Sequence, residues 1–321
     1  MVELAELKPH RLHSVAAPTP TDAGSGSGRG RARFREAAVT LGMMGPAVLL
    51  YTVLTIVPVG VAVYLSFTDW DGFSTAKLIG WENYKHLFDD PSSTDAWYVT
   101  AVITVIGTVL MVGAGLVYAL ILKGRSRANS FFRAVAYFPH VISALVLGYL
   151  WAAILGTNGA VNNTLAKFGL EPIGFLFDER FALYTLIGVI VWAGFGFNVV
   201  LFVAALQTVP AELLEAAAID GAGRRQINLR IVIPMIAPVV TVATVLNLVG
   251  LLRAYDIVVS LTGGGPAGST QTFTYLILAR SFEGTKVGYA TAQAVFLMIV
   301  SAVLALVVTA LRNRQDQAAT G

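Results

Sequence analysis

Six runs of the chain contain no Asp, Glu, Lys or Arg: residues 37–67, 98–122, 134–155, 181–206, 235–252 and 287–311. A helix rises about 1.5 Å per residue, so about 20 residues cross a hydrocarbon layer about 30 Å thick. All six runs reach that length, the fifth only just, and the pattern predicts six membrane-spanning α-helices. The first run is longer than a crossing needs and holds Pro46 and Pro58, which predicts a tilt or a kink. An all-α integral membrane protein is the fold class this pattern implies.

Composition agrees. Of 321 residues, 56% are hydrophobic and 13% charged, about half the charge of an ordinary soluble domain, and mean hydropathy is +0.70. The chain has no cysteine, which excludes disulfides, thiolate metal sites and cysteine nucleophiles. Its histidines (His10, His13, His86, His140) include no i,i+4 pair of the kind a helical metal site uses. No metal or cofactor site is expected.

The placement of Lys and Arg sets an orientation. With the N-terminus inside, the segments 1–36, 123–133, 207–234 and 312–321 hold 15 basic residues, against 6 in 68–97, 156–180 and 254–286. The loop "KGRSRANSFFR" (123–133) has four of them and no acid. Both termini are therefore expected in the cytoplasm. Residues 1–36, with the Pro/Gly/Ser-rich "APTPTDAGSGSGRGRARFR", read as a disordered basic tail, and 312–321 as a short C-terminal tail. A nucleic-acid-binding arm has nothing else in its favour. The first apolar run is too long for a cleavable signal core.

One polar segment stands out, "LQTVPAELLEAAAIDGAGRRQINLRIVIPMIAP" (206–238). Thr208 and Pro210 suit a helix start, and Ala211 to Ile219 are strong helix formers, with Glu212 and Glu215 early where the helix dipole favours acid. Gly221 stands where a left-handed turn would end that helix. A second short helix with Arg224, Arg225 and Arg230 follows, and Pro234 marks entry to the fifth span. Glu212 and Glu215 share a face, beside Leu213, Leu214, Ala217 and Ala218. Such a helix suits docking in a groove on another protein. It equally suits a turn lying on lipid headgroups, and pattern alone does not choose.

The residues Glu215, Ala216, Ala217, Gly221, Ile231 and Pro234 resemble the EAA signature of binding-protein-dependent ABC-importer permeases. The spacing is the family's: Glu-Ala-Ala, three residues, Gly, nine residues, then Ile-x-Leu-Pro, here with Ile233 for leucine. The likeness extends over roughly residues 40–311. "YLSFTDWDG", "WENYKHLFDDP", "FFRAVAYFPHVIS", "LTGGGPAGST" and "VGYATAQAV" look like segments of sugar-importer permeases, closest to the maltose-type subunit that pairs with a second, different permease.

The resemblance implies the type I importer permease architecture, with six spans over 37–311 and a cytoplasmic coupling loop at 207–234. It implies that this loop docks into an ATPase subunit through Glu212, Glu215, Ala216, Ala217, Asp220, Gly221, Ile231 and Pro234. The implied partners are a second permease, two ATPase subunits that bind ATP in place of this chain, and an extracytoplasmic sugar-binding protein, with membrane lipid around the spans and no nucleic acid.

Other features bear on this expectation. "LTGGGPAGST" and "GAGRRQ" lack the Lys-Ser/Thr that a phosphate loop needs, so the chain has no nucleotide site of its own and is not expected to be an enzyme. Arg253 and Asp256, three apart at the outer end of the fifth span, could pair as a gate latch or line a path; an interfacial pair near the headgroups is the plainer reading. Asn198, Asn247 and Tyr255 are candidate path residues beside Trp192, although buried Asn also serves as interhelical glue and aromatics as interface belts. His140 reads as structural. "WENYKHLFDDP" suits either a contact with the external binding protein or a solvated loop. A secondary transporter would need coupling residues, yet the six runs hold no carboxylate; an intramembrane enzyme would need a cluster that is absent. Within importers, glycerol 3-phosphate or another polyol derivative is the alternative cargo to an oligosaccharide.

Overall fold

The computed structural model describes residues 42–124, 126–282 and 286–320, with backbone alone at 282 and from 313 onward. The tail expected over 1–36 lies outside the described residues. The chain forms two compact units, Met1–Pro58 and Val59–Gly321.

Helix α1, Gly42–Leu65, begins in the first unit, and none of its residues is buried. It widens to a π turn at Thr52–Ile56, where the Val57 N–H reaches back to the Thr52 carbonyl. Pro58 follows at once. Proline has no N–H to give and its ring presses on the preceding turn, so the ladder is rearranged just ahead of it. The irregularity expected from Pro58 takes this form.

In the second unit the helices are α2 (Glu82–Asp89), α3 (Pro91–Ile121), α4 (Arg127–Val141), α5 (Ala144–Leu155), α6 (Ala160–Lys167), α7 (Glu179–Leu206), α8 (Ala211–Ile219), α9 (Arg224–Leu252), α10 (Asp256–Leu261), α11 (Phe273–Phe282) and α12 (Val287–Thr320). Among the described residues no strand occurs beyond one bridge, Thr68 to Leu78. Side chains start several helices: Asp90 accepts from the Ser92 N–H at 3.0 Å, Ser126 from Asn129 at 3.1 Å and Asp178 from Arg180 at 2.9 Å. Each such cap is worth about 1 kcal/mol.

Helices α3 and α7 pair along the middle, α4 lies on α7, α9 on α3 and α12, α11 on α3 and α12, and α5 carries α10. Lipid removes the hydrophobic drive between helices, so small residues that permit close approach do this work. A Cβ on Gly196 of α7 would stand 1.9 Å from the Ala136 carbonyl oxygen of α4, and one on Gly148 of α5 would stand 1.8 Å from Ser260 Oγ of α10. Gly115 of α3 meets Asn198 of α7 in the same way. Three apolar clusters fill the rest, around Leu147 and Leu186, around Phe273 and Leu276, and around Phe202 and Ala243.

Six helical stretches are long and apolar enough to cross a membrane: Gly42–Leu65, Pro91–Ile121, Ala144–Lys167, Glu179–Leu206, Arg224–Leu252 and Val287–Arg312. Two differ from expectation. The run 134–155 is no single helix, because α4 ends at Val141 and the chain is extended at Ile142 and Ser143 before α5 begins. Pro139 weakens the last turn of α4, and the Ile142 N–H bonds only to the Pro139 carbonyl. The third stretch therefore comprises α5 and α6 about a turn at 156–159. In the fifth, Pro234 does not begin the span. The helix is already under way from Arg224 and passes Pro234 after a second π turn, Asn228–Val232. Helix α12 likewise continues through the segment expected as a tail.

Gly196→Ala should lower stability by about 1–3 kcal/mol, because its methyl meets backbone that cannot swing aside. Gly188→Ala on the same helix meets nothing within 4 Å and should be neutral or slightly stabilising. Thermal unfolding in detergent, followed by tryptophan fluorescence, compares the two; equal midpoints would remove the close approach as the cause.

Candidate functional site

Two places bring the expected residues together. The first is the polar segment between α7 and α9. Thr208 does not cap α8; its hydroxyl bonds back to the Ala205 carbonyl at 2.8 Å, and α8 starts from Pro210 with Glu212 in its first turn. The helix stops as glycine dictates. Gly221 has φ +82°, the Ala222 N–H reaches the Ala217 carbonyl at 2.9 Å, and the Gly221 N–H reaches Ala218 at 3.1 Å. These two bonds are the Schellman pattern.

No residue of α8 is buried. Leu214 and Ala217 are half-buried, whereas Glu212, Glu215, Ala216, Asp220 and Gly221 are exposed. Ile219 is 86% exposed. Neither Glu212 nor Glu215 has an ion-pair partner among the described residues. Ile231 and Pro234 lie apart from this helix, at the π turn and just beyond it in α9. The helix thus offers acids and an exposed apolar end, and it has a fixed stop.

The second place is a cavity of about 540 Å³ bounded by α3, α4, α5, α7, α9 and α10. Both chain breaks open onto it, at Ile142 and at Arg253 to Tyr255. Asn247, Arg253, Tyr255 and Asp256 line it, with His140 and Phe197, whose rings stand 5.2 Å apart. Asn198 does not. It is fully buried and pairs with Asn247, whose Nδ2 donates to Asn198 Oδ1 at 2.8 Å and to the Ala243 carbonyl at 2.8 Å. Of the two Asn readings, interhelical glue describes Asn198, and Asn247 is both glue and lining.

Arg253 and Asp256 do not pair. The latch required both on one helix, but α9 ends at Leu252 and α10 starts afresh at Asp256. The freed end of α9 is satisfied instead by hydroxyls: Thr274 donates to the Leu252 carbonyl at 3.1 Å and Thr272 to Ala254 at 2.8 Å. Trp192 meets Trp151 edge-on at 5.3 Å, away from the cavity lining. His140, read as structural, lines the cavity beside Phe197.

Sequence reasoning missed a buried polar cluster. Asp90, at the cap of α3, pairs with Arg280 of α11 at 2.5 Å and accepts from Ser93 Oγ at 3.0 Å and the Tyr289 hydroxyl of α12 at 3.1 Å. Gln293 of α12 donates to Ser93 Oγ at 2.9 Å, and the Arg280 guanidinium lies 5.1 Å over the Tyr289 ring. Burial works to raise the Asp90 pKa, but hydrogen bonds from Ser93 and Arg280, the Arg280 charge and the Tyr289 hydroxyl together outweigh it and hold the carboxyl below its ordinary value. The acid was visible in "WENYKHLFDDP", but nothing local pointed to an arginine far along the chain.

Comparison with known proteins gives one family. Residues 111–320 match the family described as "Binding-protein-dependent transport system inner membrane component". The chain is 32% identical to the diacetylchitobiose uptake system permease protein NgcF of Streptomyces coelicolor over 86% of this chain and 82% of that protein. It is 29% identical to the sn-glycerol-3-phosphate transport system permease protein UgpA of Escherichia coli over 85% of this chain and 94% of that protein. Its fold matches a chain in the crystal structure of a bacterial alginate ABC transporter in complex with an alginate pentasaccharide-bound periplasmic protein. The TM-score is 0.78 and the identity 21%, over 88% of this chain and 96% of that one.

Removing one member of the Asp90 pair leaves a charge with poor solvent access, so Asp90→Asn and Arg280→Met should each cost about 2–4 kcal/mol. The lowered pKa sets the sign of the pH effect. Asp90 contributes stability in full above the ordinary carboxyl value of 3.8, and that stability is lost as pH falls through the lower folded value. Unfolding midpoints taken between pH 7 and pH 3 should fall for the wild type with a component that Asp90→Asn lacks.

Proposed function

This chain belongs to the family of binding-protein-dependent transport system inner membrane components, and we propose that it is one permease subunit of an ATP-driven importer for a carbohydrate, an oligosaccharide in particular. It is a multi-pass membrane protein and a transporter subunit rather than an enzyme. The observation that carries the fuller reading is α8, with no residue buried, set between two spans and stopped by a glycine at φ +82°.

In this reading both termini and α8 face the cytoplasm, as the distribution of basic residues supports. Two ATPase subunits bind the ATP; one receives α8, with Glu215 as the charged contact. A second, different permease completes the membrane path, and an extracytoplasmic binding protein delivers the sugar. Closure of the ATPase pair moves α8, and α8 moves α7 and α9, which wall the cavity. The path then alternates between inward-facing and outward-facing states.

The cavity suits a neutral, ring-shaped cargo. Tyr255, Phe197 and His140 give flat faces, Asn247 Oδ1 can accept a hydrogen bond, and the lining carries both Arg253 and Asp256. Its volume lies within the range of about 300–1,000 Å³ for small-molecule sites. The relative named for glycerol 3-phosphate keeps an anionic cargo as the second reading. A lining with one cation and one anion favours the sugar.

The test is mild-detergent purification of the chain from its own membranes, with co-purifying proteins identified by mass, followed by sugar uptake in proteoliposomes. Recovery of an ATPase and a second permease supports the importer; recovery of the chain alone, with full activity, overturns it. A side chain at Gly221 meets nothing within 4 Å, so Gly221→Val acts only through its backbone, where a β-branched residue at positive φ is strained. It should cut uptake by roughly tenfold or more while the chain still reaches the membrane, the strain being enough to unseat the C-terminal turn. Glu215→Lys should reduce the ATPase recovered with the chain. Normal uptake by the first variant and normal recovery with the second would remove α8 as the coupling element.

A further inference from the structure

Between α1 and α2 the chain makes a loop whose every turn is held. The Asp69 N–H bonds to the Lys77 carbonyl at 3.1 Å, and its carboxylate accepts from the Lys77 N–H at 2.9 Å. Asp71 Oδ1 accepts from the Phe73 N–H at 2.9 Å, the Ser74 N–H at 2.7 Å and the Ser74 hydroxyl at 2.8 Å. The Trp70 indole donates to the Ser74 carbonyl at 2.9 Å. Gly72 makes the turn at φ +95°.

The base of the loop is equally fixed. Asn83 donates to the Ser66 and Thr68 carbonyls at 2.9 and 2.8 Å, and the Gly288 N–H of α12 donates to Trp70 at 2.7 Å. At the tip Phe73 is 92% exposed, with Leu78 and Trp81 also exposed nearby.

A lone exposed Phe needs no explanation by itself. A Phe presented on a rigid turn is different. The entropy normally lost when a loop is ordered by binding has already been spent here, and aromatic side chains are the commonest anchors of protein interfaces. The loop does not belong in hydrocarbon, because Asp69 and Lys77 are exposed beside the tip. Asp71 also keeps its charge: hydrogen bonds from the Ser74 backbone, the Phe73 backbone and the Ser74 side chain lower its pKa to about 2.

Resting on the importer reading, we propose that the loop 69–77 is a docking point for the extracytoplasmic binding protein, with Phe73 as its anchor. Three things choose that occupant. The loop joins the first and second spans, and α8 joins the fourth and fifth, so by alternation the two lie on opposite sides of the membrane. A partner on the loop's side that is soluble, and on which the family's transport depends by its own description, is the binding protein. Apart from Asp90, which is paired with Arg280, the stretch 66–89 carries four acids against two lysines, so the partner's face should be an apolar socket with a basic rim.

The experiment uses the whole transporter in lipid nanodiscs, titrated with its purified, sugar-loaded binding protein while ATP hydrolysis is followed. Phe73→Ala should raise the half-saturating concentration of binding protein by roughly tenfold or more, as loss of an aromatic anchor does, and leave basal hydrolysis unchanged. Asp71→Ala, which frees the turn but keeps Phe73, should raise it by less. As a variant that keeps the aromatic, Phe73→p-benzoylphenylalanine should photocrosslink to the binding protein. Unchanged half-saturation, or crosslinks to lipid or to the second permease alone, would overturn the proposal. A wild-type complex that co-purifies with no ATPase, or that no binding protein stimulates, would overturn the importer reading and this proposal with it; the wild-type control separates that failure from a fault in the loop alone.

Discussion

Contact between helices in a bilayer gains almost nothing from the hydrophobic effect, and this bundle is arranged around that constraint. Lipid tails satisfy a leucine as well as a neighbouring helix does, so α7 must be held by shape and by polar pairs. It meets α4 at Gly196, α3 where Gly115 faces Asn198, and α9 through the Asn198–Asn247 pair. Amide pairs of this kind contribute about 0.6 kcal/mol on average in membranes, too little to hold a bundle alone. Their effect is to fix register: with Asn198 fully buried, a shift of one turn would leave its amide unpaired.

Backbone hydrogen bonding imposes the second constraint. A proline inside a helix removes a donor that lipid cannot replace; Pro238 is carried within α9, but around three others the helix is rearranged. Ahead of Pro58 and Pro234 the helix widens into a π turn and continues. After Pro139 it stops, and Ile142 and Ser143 run extended. Irregular backbone is tolerated where it borders a cavity, and the break at Ile142 and that at Arg253 both do so. The hydroxyls of Thr272 and Thr274 supply the donors that the second break would otherwise lack.

How much of this could be read from the sequence follows from the range of each interaction. The spans were legible because a run without charge is a local property, and Gly221 because a helix stop needs a residue able to take positive φ. Pro234 misled for an instructive reason: a separate short helix was expected before it, yet the helix carrying Arg224, Arg225 and Arg230 runs on through a π turn and past Pro234. The Arg253–Asp256 latch failed because spacing implies a shared face only while the helix lasts. The Asp90–Arg280 pair, the Asn pair and the seat of Gly196 join residues far apart in the chain, and no local pattern announces such a meeting.

Under the proposed coupling, the continuity of α9 links the exposed helix to the cavity. From Arg224 to Leu252 it is one rod of 29 residues, about 43 Å long at 1.5 Å per residue. One end follows α8 after a four-residue link, Asp220 to Gly223; the other carries Asn247 and leads straight into Arg253 and Tyr255 at the cavity. Under that coupling a tilt of α8 would cross the glycine-containing link and then run along α9, whose irregular points are the π turn Asn228–Val232 and the prolines Pro234 and Pro238. That turn lies near the α8 end, so bending there would turn the long arm of the rod and spare the short one. Had Pro234 begun a separate helix, the same motion would have been lost in a loop. In that reading the exposed acids of α8 and the cavity walls are joined through one continuous helix.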